Sequence, residues 1–175
     1  KTFHQCFKDC FARCETHESL FEYMIGQFSK LERKSIEPIA IQTKDSKQNR
    51  TLSSKIRAMQ RSISDAQWDE DKILHKYRCM INEDLGHPEA AMVFDESGFI
   101  KKGNDSIGVA RQYCGTAGKV DNCQVGVFAA YASPNGYSLI DKRLFIPEKW
   151  FNSEYKERRI KCKLPEDIQW KSKPQ

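Results

Sequence analysis

The chain has 175 residues, a net charge of +5 and a mean hydropathy of −0.70. Apolar residues make up 39% and charged residues 30%, which is typical of a soluble globular protein with one or two domains. The longest uncharged apolar stretch, residues 125–132, is far shorter than the roughly 20 residues of a bilayer span, so no membrane contact is expected.

The first cysteines of the chain repeat every four residues. Cys6, Cys10 and Cys14 would form one row on a helix, beside a parallel row of three phenylalanines. A zinc site is one interpretation, but three positions spread along a straight helix cannot all ligate one tetrahedral ion. We favour a single helix that buries both rows as one apolar face, because a reduced cysteine packs like a small hydrophobic side chain.

The first 88 residues are nearly free of glycine and show helical periodicity. Apolar side chains at three- and four-residue spacing predict helices over residues 20–31, 35–41, 52–63 and 68–81. Residues 43–50 form a polar connector between two of them. Ser64 and Asp65 are the predicted N-cap of the last helix, which ends before Pro88. We therefore expect an all-helical N-terminal domain, residues 1–88.

One part of this domain carries the basic excess of the chain. Residues 30–63 contain nine lysines and arginines against three acidic residues. A solvated helix face is one interpretation. The other is a nucleic-acid-binding surface, for which Lys55, Arg57 and Arg61 on the predicted helix 52–63 are the candidates.

Short apolar runs separated by glycines replace the helical pattern after Pro88. They predict three strands, over residues 91–95, 122–133 and 137–146. Pro134-Asn135-Gly136 is a strong hairpin signal between the last two. Alternation along the first strand directs Val93 and Asp95 to one face of the sheet and Phe94 and Glu96 to the other.

Asp95 is the first candidate for chemistry. A carboxylate at the end of a buried strand is costly unless a charged group, such as a metal ion, lies beside it. Lys101 and Lys102 follow, and lysines beside a metal-ligating carboxylate suit a phosphodiester substrate. The alternative is an aspartate that caps a β-turn. Residues 101–119 lack the glycine spacing of a nucleotide-binding loop and are interpreted as a flexible connection.

The amino-acid sequence of the second half resembles that of a known family. The stretch FDESGFIKKGNDSIGVARQYCGTAGKVDNCQVGVFAAYASPNGYSLIDKRLFIPEKW resembles the first part of the catalytic domain of bacterial insertion-sequence transposases of the DDE superfamily. LERKSIEPIA and QRSISDAQWDED are similar to the helical N-terminal region of that family, and QWKSKPQ also resembles the family. The resemblance covers nearly the whole chain.

The resemblance implies an RNase H-like catalytic core. In this core, one Asp on the first strand, a second Asp after the fourth strand and a Glu on a later helix hold two Mg²⁺ or Mn²⁺ ions. Asp95 matches the first carboxylate, and Ser97 replaces the threonine of the usual Asp-(Asp/Glu)-Thr-Gly-Phe motif. The resemblance places Lys101 and Lys102 in a basic turn near the DNA backbone, and Arg111 is a further candidate phosphate contact.

We expect an α+β chain on these grounds: the helical DNA-binding domain, then the first three strands of an incomplete RNase H-like α/β catalytic domain, residues 89–175. The second Asp and the Glu have no counterpart, because Asp141 and Asp167 lack the family's sequence context.

The leading function is a DNA transposase, a metal-dependent endonuclease and strand transferase at transposon ends, represented here by a portion that is inactive alone. The alternatives are a non-catalytic DNA-binding remnant or regulator of transposition, and a cysteine-rich helical metal or interaction module unrelated to DNA. The implied partners are double-stranded DNA, as terminal repeats and target, and a second copy in a homodimer. The implied location is the bacterial cytoplasm, at the nucleoid.

Overall fold

The computed structural model of the chain describes residues 2–43 and 51–172. The chain divides into two compact units, residues 1–77 and 78–175. The domain boundary expected at residue 88 stays a prediction, because compactness does not by itself establish independent folding. The predicted connector, residues 43–50, lies almost entirely outside the described residues.

Helices make up the first unit, and the last of them continues into the second. They are α1 (Thr2–Gln5), α2 (Cys14–Gln27), α3 (Ile36–Gln42), α4 (Leu52–Ser64) and α5 (Glu70–Leu85). The bounds of α3 and α4 agree with the predicted helices within one residue. Asp69 caps α5, since its carboxylate accepts a hydrogen bond from the backbone N–H of Lys72 at 2.8 Å. The predicted cap at Ser64 and Asp65 was therefore wrong.

The core of the first unit lies where α3 and α4 meet α2. Ile39, Ala40 and Met59 are completely buried there. Partly buried apolar side chains of the three helices surround them, including Tyr23 and Ile56. Tertiary packing of these faces supplies the stability that such short helices lack in isolation.

The start of the chain does not form the predicted single helix. α1 ends at Gln5, a 3₁₀ turn covers Lys8–Cys10, and α2 begins only at Cys14. Cys10 is buried whereas Cys6 and Cys14 are exposed, so the expectation of one buried face of cysteines and phenylalanines was wrong.

A buried histidine pair joins α1 to α2. Nδ1 of His4 lies 2.8 Å from Nε2 of His17, which also lies 2.9 Å from the backbone oxygen of His4. A carbonyl oxygen can only accept, so Nε2 of His17 carries the hydrogen and Nδ1 of His4 is the unprotonated acceptor. Burial lowers the pKa of His4 below its usual 6.5, and the neighbouring His17 lowers it further.

The second unit is built on an antiparallel sheet of four strands, β1 (Ala91–Ile100), β2 (Ala110–Cys114), β3 (Lys119–Ser133) and β4 (Gly136–Phe145). The prediction of three strands was wrong, because it omitted β2 and ended β1 five residues early. β3 is central. Cys123 of β3 pairs with Ile100 of β1 and Ala110 of β2, so these strands lie on opposite edges of β3. Val125 likewise pairs with β1 and β4, so β2 and β4 share one edge.

Two buried features consolidate this unit. Cys114, Cys123 and Val125 form an apolar cluster on one face of the sheet. After β4 the chain continues through 3₁₀ turns to a short helix, α6 (Lys156–Lys161). Trp150, in the first of those turns, is fully buried and donates its indole N–H to the Val109 carbonyl at 2.9 Å.

Within residues 2–43 and 51–172, none of the helices combines the length and the apolar character that a bilayer crossing requires.

Replacing Gly98 by Ala is expected to destabilise the protein. A Cβ atom at this position of β1 would lie 2.5 Å from Sγ of Cys114 and 3.2 Å from its Cα. Overpacking of this kind costs about 1–3 kcal/mol of the free energy of unfolding. Urea denaturation followed by tryptophan fluorescence measures the change. Gly103→Ala is the control, since a Cβ atom there meets nothing within 4 Å; equal stabilities for the two variants would contradict the packing described.

Acidification is expected to weaken the His4–His17 contact. The folded protein holds His4 unprotonated at pH values where the unfolded chain already binds the proton, so the free energy of unfolding falls as the pH drops below 6.5. Thermal denaturation over a pH series tests this, with His4→Gln as a variant that cannot titrate. A pH dependence as steep in His4→Gln as in the wild type would show that the histidine pair is not responsible.

Candidate active site

Asp95 lies in the middle of β1, in a row of side chains that crosses the sheet. It is opposite Phe128 of β3, and Phe128 is in turn opposite Lys142 of β4. Residues directly opposite one another project from the same face of an antiparallel sheet. We call this face the Asp95 face, and the other, which carries the buried cluster, the Val125 face. Glu96 is opposite Val127 and lies on the Val125 face, which confirms the predicted alternation.

The Asp95 face is open and carries few charges, one of which is Arg111 of β2, opposite Asn122 at the end of this face. Among the residues that the register of β1, β3 and β4 places on it, Asp95 is the one carboxylate and Lys142 the one cation. The others are apolar, small or uncharged, and several large ones are exposed, such as Val93 at 49% and Leu139 at 58%. An exposed apolar face of this kind is typical of a binding surface, and the few charged side chains on it are candidates for contacts with a ligand.

The residues of the motif DESGF divide between the two faces. The Phe99 ring packs on Phe128, with ring centroids 6.3 Å apart on the Asp95 face. Gly98 lies on the Val125 face, against Cys114. The Asp95 carboxylate is exposed and accepts a hydrogen bond from the backbone N–H of Glu96 at 2.8 Å. The expectation of a buried strand end was therefore wrong, and desolvation gives no reason for a metal at Asp95.

Among the residues that the structure describes, no second carboxylate joins Asp95. Asp141 lies on the Val125 face, where Oδ2 is 2.8 Å from Nη2 of Arg78 and 3.5 Å from Nη2 of Arg143. Asp167 is exposed in the segment after α6. Among residues 2–43 and 51–172, no group of three or more His, Cys, Asp or Glu side chains could hold a metal ion. The described residues therefore do not form a metal site by themselves.

The lysines predicted beside Asp95 lie further along the sheet. Lys101 follows the end of β1, six residues from Asp95, which is roughly 20 Å at about 3.3 Å per strand residue. Its backbone N–H donates to the Asn122 carbonyl, and Arg111 pairs with Asn122 from the other edge of β3. The structure therefore brings Lys101 and Arg111 to the same end of the sheet, with exposed Lys102 next in the chain. The expectation that these lysines adjoin the carboxylate was wrong.

The three candidates on α4 do not share one surface. Lys55 is buried, with its side chain 6% exposed, and its ammonium forms an ion pair with Glu22 at 3.2 Å. It also donates to the Thr43 carbonyl, so Lys55 stabilises the fold and its ammonium is not exposed for a contact with DNA. Arg57 and Arg61 are exposed one helical turn apart, and Arg61 lines a groove between α4 and the start of α2.

Sequence analysis did not single out Lys142, because the sequence does not show which face of the sheet this residue occupies. Counting back from the Pro134-Asn135-Gly136 turn in regular register would place Asp141, not Lys142, opposite Phe128. An irregularity in the β3–β4 pairing exchanges the two residues.

A comparison of the sequence with known protein families identifies the family of this chain. A family model described as DDE superfamily endonuclease matches residues 6–175, and the chain belongs to that family. No curated protein and no solved structure matches the chain. Helices followed by a four-stranded antiparallel sheet are consistent with a partial RNase H-like domain, which confirms the predicted fold class. The family belongs to the nuclease and transposase class of enzymes, which act on DNA and generally use divalent metals.

Substitutions of Lys55 and Arg57 on α4 are expected to differ in their effect on the free energy of unfolding. Lys55→Ala leaves Glu22 and the Thr43 carbonyl without their partner, at a cost of about 1–3 kcal/mol. Arg57→Ala removes an exposed cation and should change the free energy of unfolding by less than about 0.5 kcal/mol. Urea denaturation of both variants provides the measurement. If Lys55→Ala were as stable as Arg57→Ala, the contacts of Lys55 would add nothing to stability, and its assigned structural role would be contradicted.

Proposed function

We propose that this chain is the DNA-binding and first catalytic portion of a transposase, with Asp95 as its metal-ligating carboxylate. The observation that carries the proposal is the position of Asp95: the acidic residue of the family motif is the one carboxylate on the open face of the sheet. In a transposase, DNA cleavage and strand transfer at transposon ends take place at such a carboxylate centre.

The proposed metal is Mg²⁺ or Mn²⁺, which prefer oxygen ligands. Asp95 offers the carboxylate oxygens, and further donors have to come from outside the described residues or from the phosphates of DNA. The described part of the chain is therefore proposed to bind DNA without cleaving it.

The Asp95 face is the surface that we assign to DNA near the cleavage site. Further cations are proposed to contact the DNA backbone: the exposed Arg57 and Arg61 in the first unit and, in the second, half-buried Lys101, exposed Lys102, and exposed Arg111 at the end of the Asp95 face. Each phosphate contact releases condensed counterions, so the affinity should fall steeply with salt. Two copies acting on paired DNA ends in the bacterial cytoplasm, at the nucleoid, complete the proposal.

A second candidate is a DNA-binding remnant or regulator that occupies transposon ends without catalysis. The observation that favours it is the single carboxylate on the Asp95 face of the described residues. The two candidates differ in whether Asp95 binds a metal ion.

Titration of the protein with Mn²⁺ is expected to distinguish them. In the complex with a DNA duplex, Mn²⁺ should broaden the amide NMR signals of Asp95 and of Phe128 opposite it, because paramagnetic broadening falls off steeply with distance. Asp95→Asn should abolish this broadening. Asp141→Asn is the matched control, since Asp141 is another carboxylate of the sheet but lies on the Val125 face.

Broadening that is lost in Asp95→Asn and kept in Asp141→Asn supports the metal-ligand role. DNA binding with no Mn²⁺ effect at Asp95 would favour the non-catalytic candidate. A wild-type protein whose DNA affinity does not depend on salt would contradict both.

A further inference from the structure

A β-bulge interrupts the pairing of β3 with β4. On the turn side of it Ala130 pairs with Leu139, and on the other side Ala129 pairs with Asp141. Ile140 is therefore the extra residue, with no position of its own opposite β3. A bulge of this kind shifts the alternation of every later residue of the strand.

The shift decides which charge shares a face with Asp95. In regular register Asp141 would be opposite Phe128 and would join Asp95 on its face. With the bulge, Lys142 takes that position and Asp141 turns to the Val125 face. The additional residue, Ile140, therefore places the ammonium group of Lys142 on the Asp95 face instead of the carboxylate of Asp141.

Arg78 of α5 holds the bulge in place. Its Nε donates to the carbonyl oxygen of Ile140, the bulged residue, at 3.0 Å. Its Nη2 lies 2.8 Å from Oδ2 of Asp141. One guanidinium group thereby satisfies a backbone carbonyl that a bulge removes from the ladder and fixes the carboxylate on the Val125 face.

We propose that Lys142 is a DNA phosphate contact of the Asp95 face, and that Arg78 is the positioning residue that keeps it there. Asp95 and Lys142 are two strand spacings apart, or about 10 Å between their backbones. A DNA strand that lies over Phe128 meets the carboxylate at one side and the ammonium at the other. This inference rests on the proposed function and adds Lys142 to the residues that are proposed to contact DNA.

The test is the salt dependence of DNA binding by the full chain, measured by fluorescence anisotropy of a labelled duplex over a series of NaCl concentrations. Lys142→Ala should reduce the slope of log affinity against log salt by about 0.9, the loss of one phosphate contact. Lys142→Arg should retain the slope. Arg143→Ala is the matched control: it removes the next cation of β4, which is 80% exposed but on the Val125 face, and should leave the slope unchanged.

The role of Arg78 is tested by a double-mutant cycle. If Arg78 acts through Lys142, Arg78→Ala should reduce the slope as Lys142→Ala does, and the double variant should show no further loss. In NMR spectra, cross-strand contacts between Phe128 and Lys142 should be present in the wild type and lost in Arg78→Ala.

The possible results separate this inference from the proposed function. Salt-dependent binding in which Lys142→Ala and Arg143→Ala behave alike would overturn the role of Lys142 and leave the proposed function standing. Additive losses in the double variant would overturn the positioning role of Arg78. Absence of salt-dependent DNA binding in the wild type would overturn the proposed function and this inference together.

Discussion

Backbone pairing along β3 is the constraint on which the second unit depends. β3 forms hydrogen bonds with each of the other strands, β1 on one edge and β2 and β4 on the other. Because side chains alternate with a period of two, the register with β3 decides which face every residue of β1 and β4 occupies. Asp95 and Lys142 share a face only because both are registered on Phe128.

The chemistry of that face follows from one irregularity and the residue that holds it. Arg78 lies on α5, before the sheet begins, yet it contacts the carbonyl of Ile140 and the carboxylate of Asp141. A helix thereby fixes a bulge, and the bulge places a lysine on the same face as the carboxylate of the family motif. The first unit also separates its charges by position. Lys55 forms a buried ion pair with Glu22, whereas Arg57 and Arg61 lie on the surface.

The sequence predicted features that depend on local pattern or on family resemblance. The helices α3 and α4 follow from apolar spacing, and the resemblance carried by DESGF led to a family that the comparison confirms. Contacts between distant residues could not be predicted. In the sequence, Gly98 indicates the end of a strand, whereas in the structure it lies within β1 and permits the close approach of Cys114. Helical periodicity likewise could not show that Lys55 contacts Glu22. The bulge depends on Arg78, 62 residues away from Ile140, so regular counting along β4 gave the wrong face.

The most direct test of the Asp95 face as the DNA-binding surface is methyl NMR of the protein during titration with a DNA duplex. Val93, Leu139 and Leu144 carry methyl groups on the Asp95 face, whereas Val125 and Val127 carry them on the Val125 face. We predict that binding shifts the signals of the first group and leaves those of the second nearly unchanged. Shifts confined to Val125 and Val127, or shifts absent from both groups while the duplex is bound, would contradict the assignment.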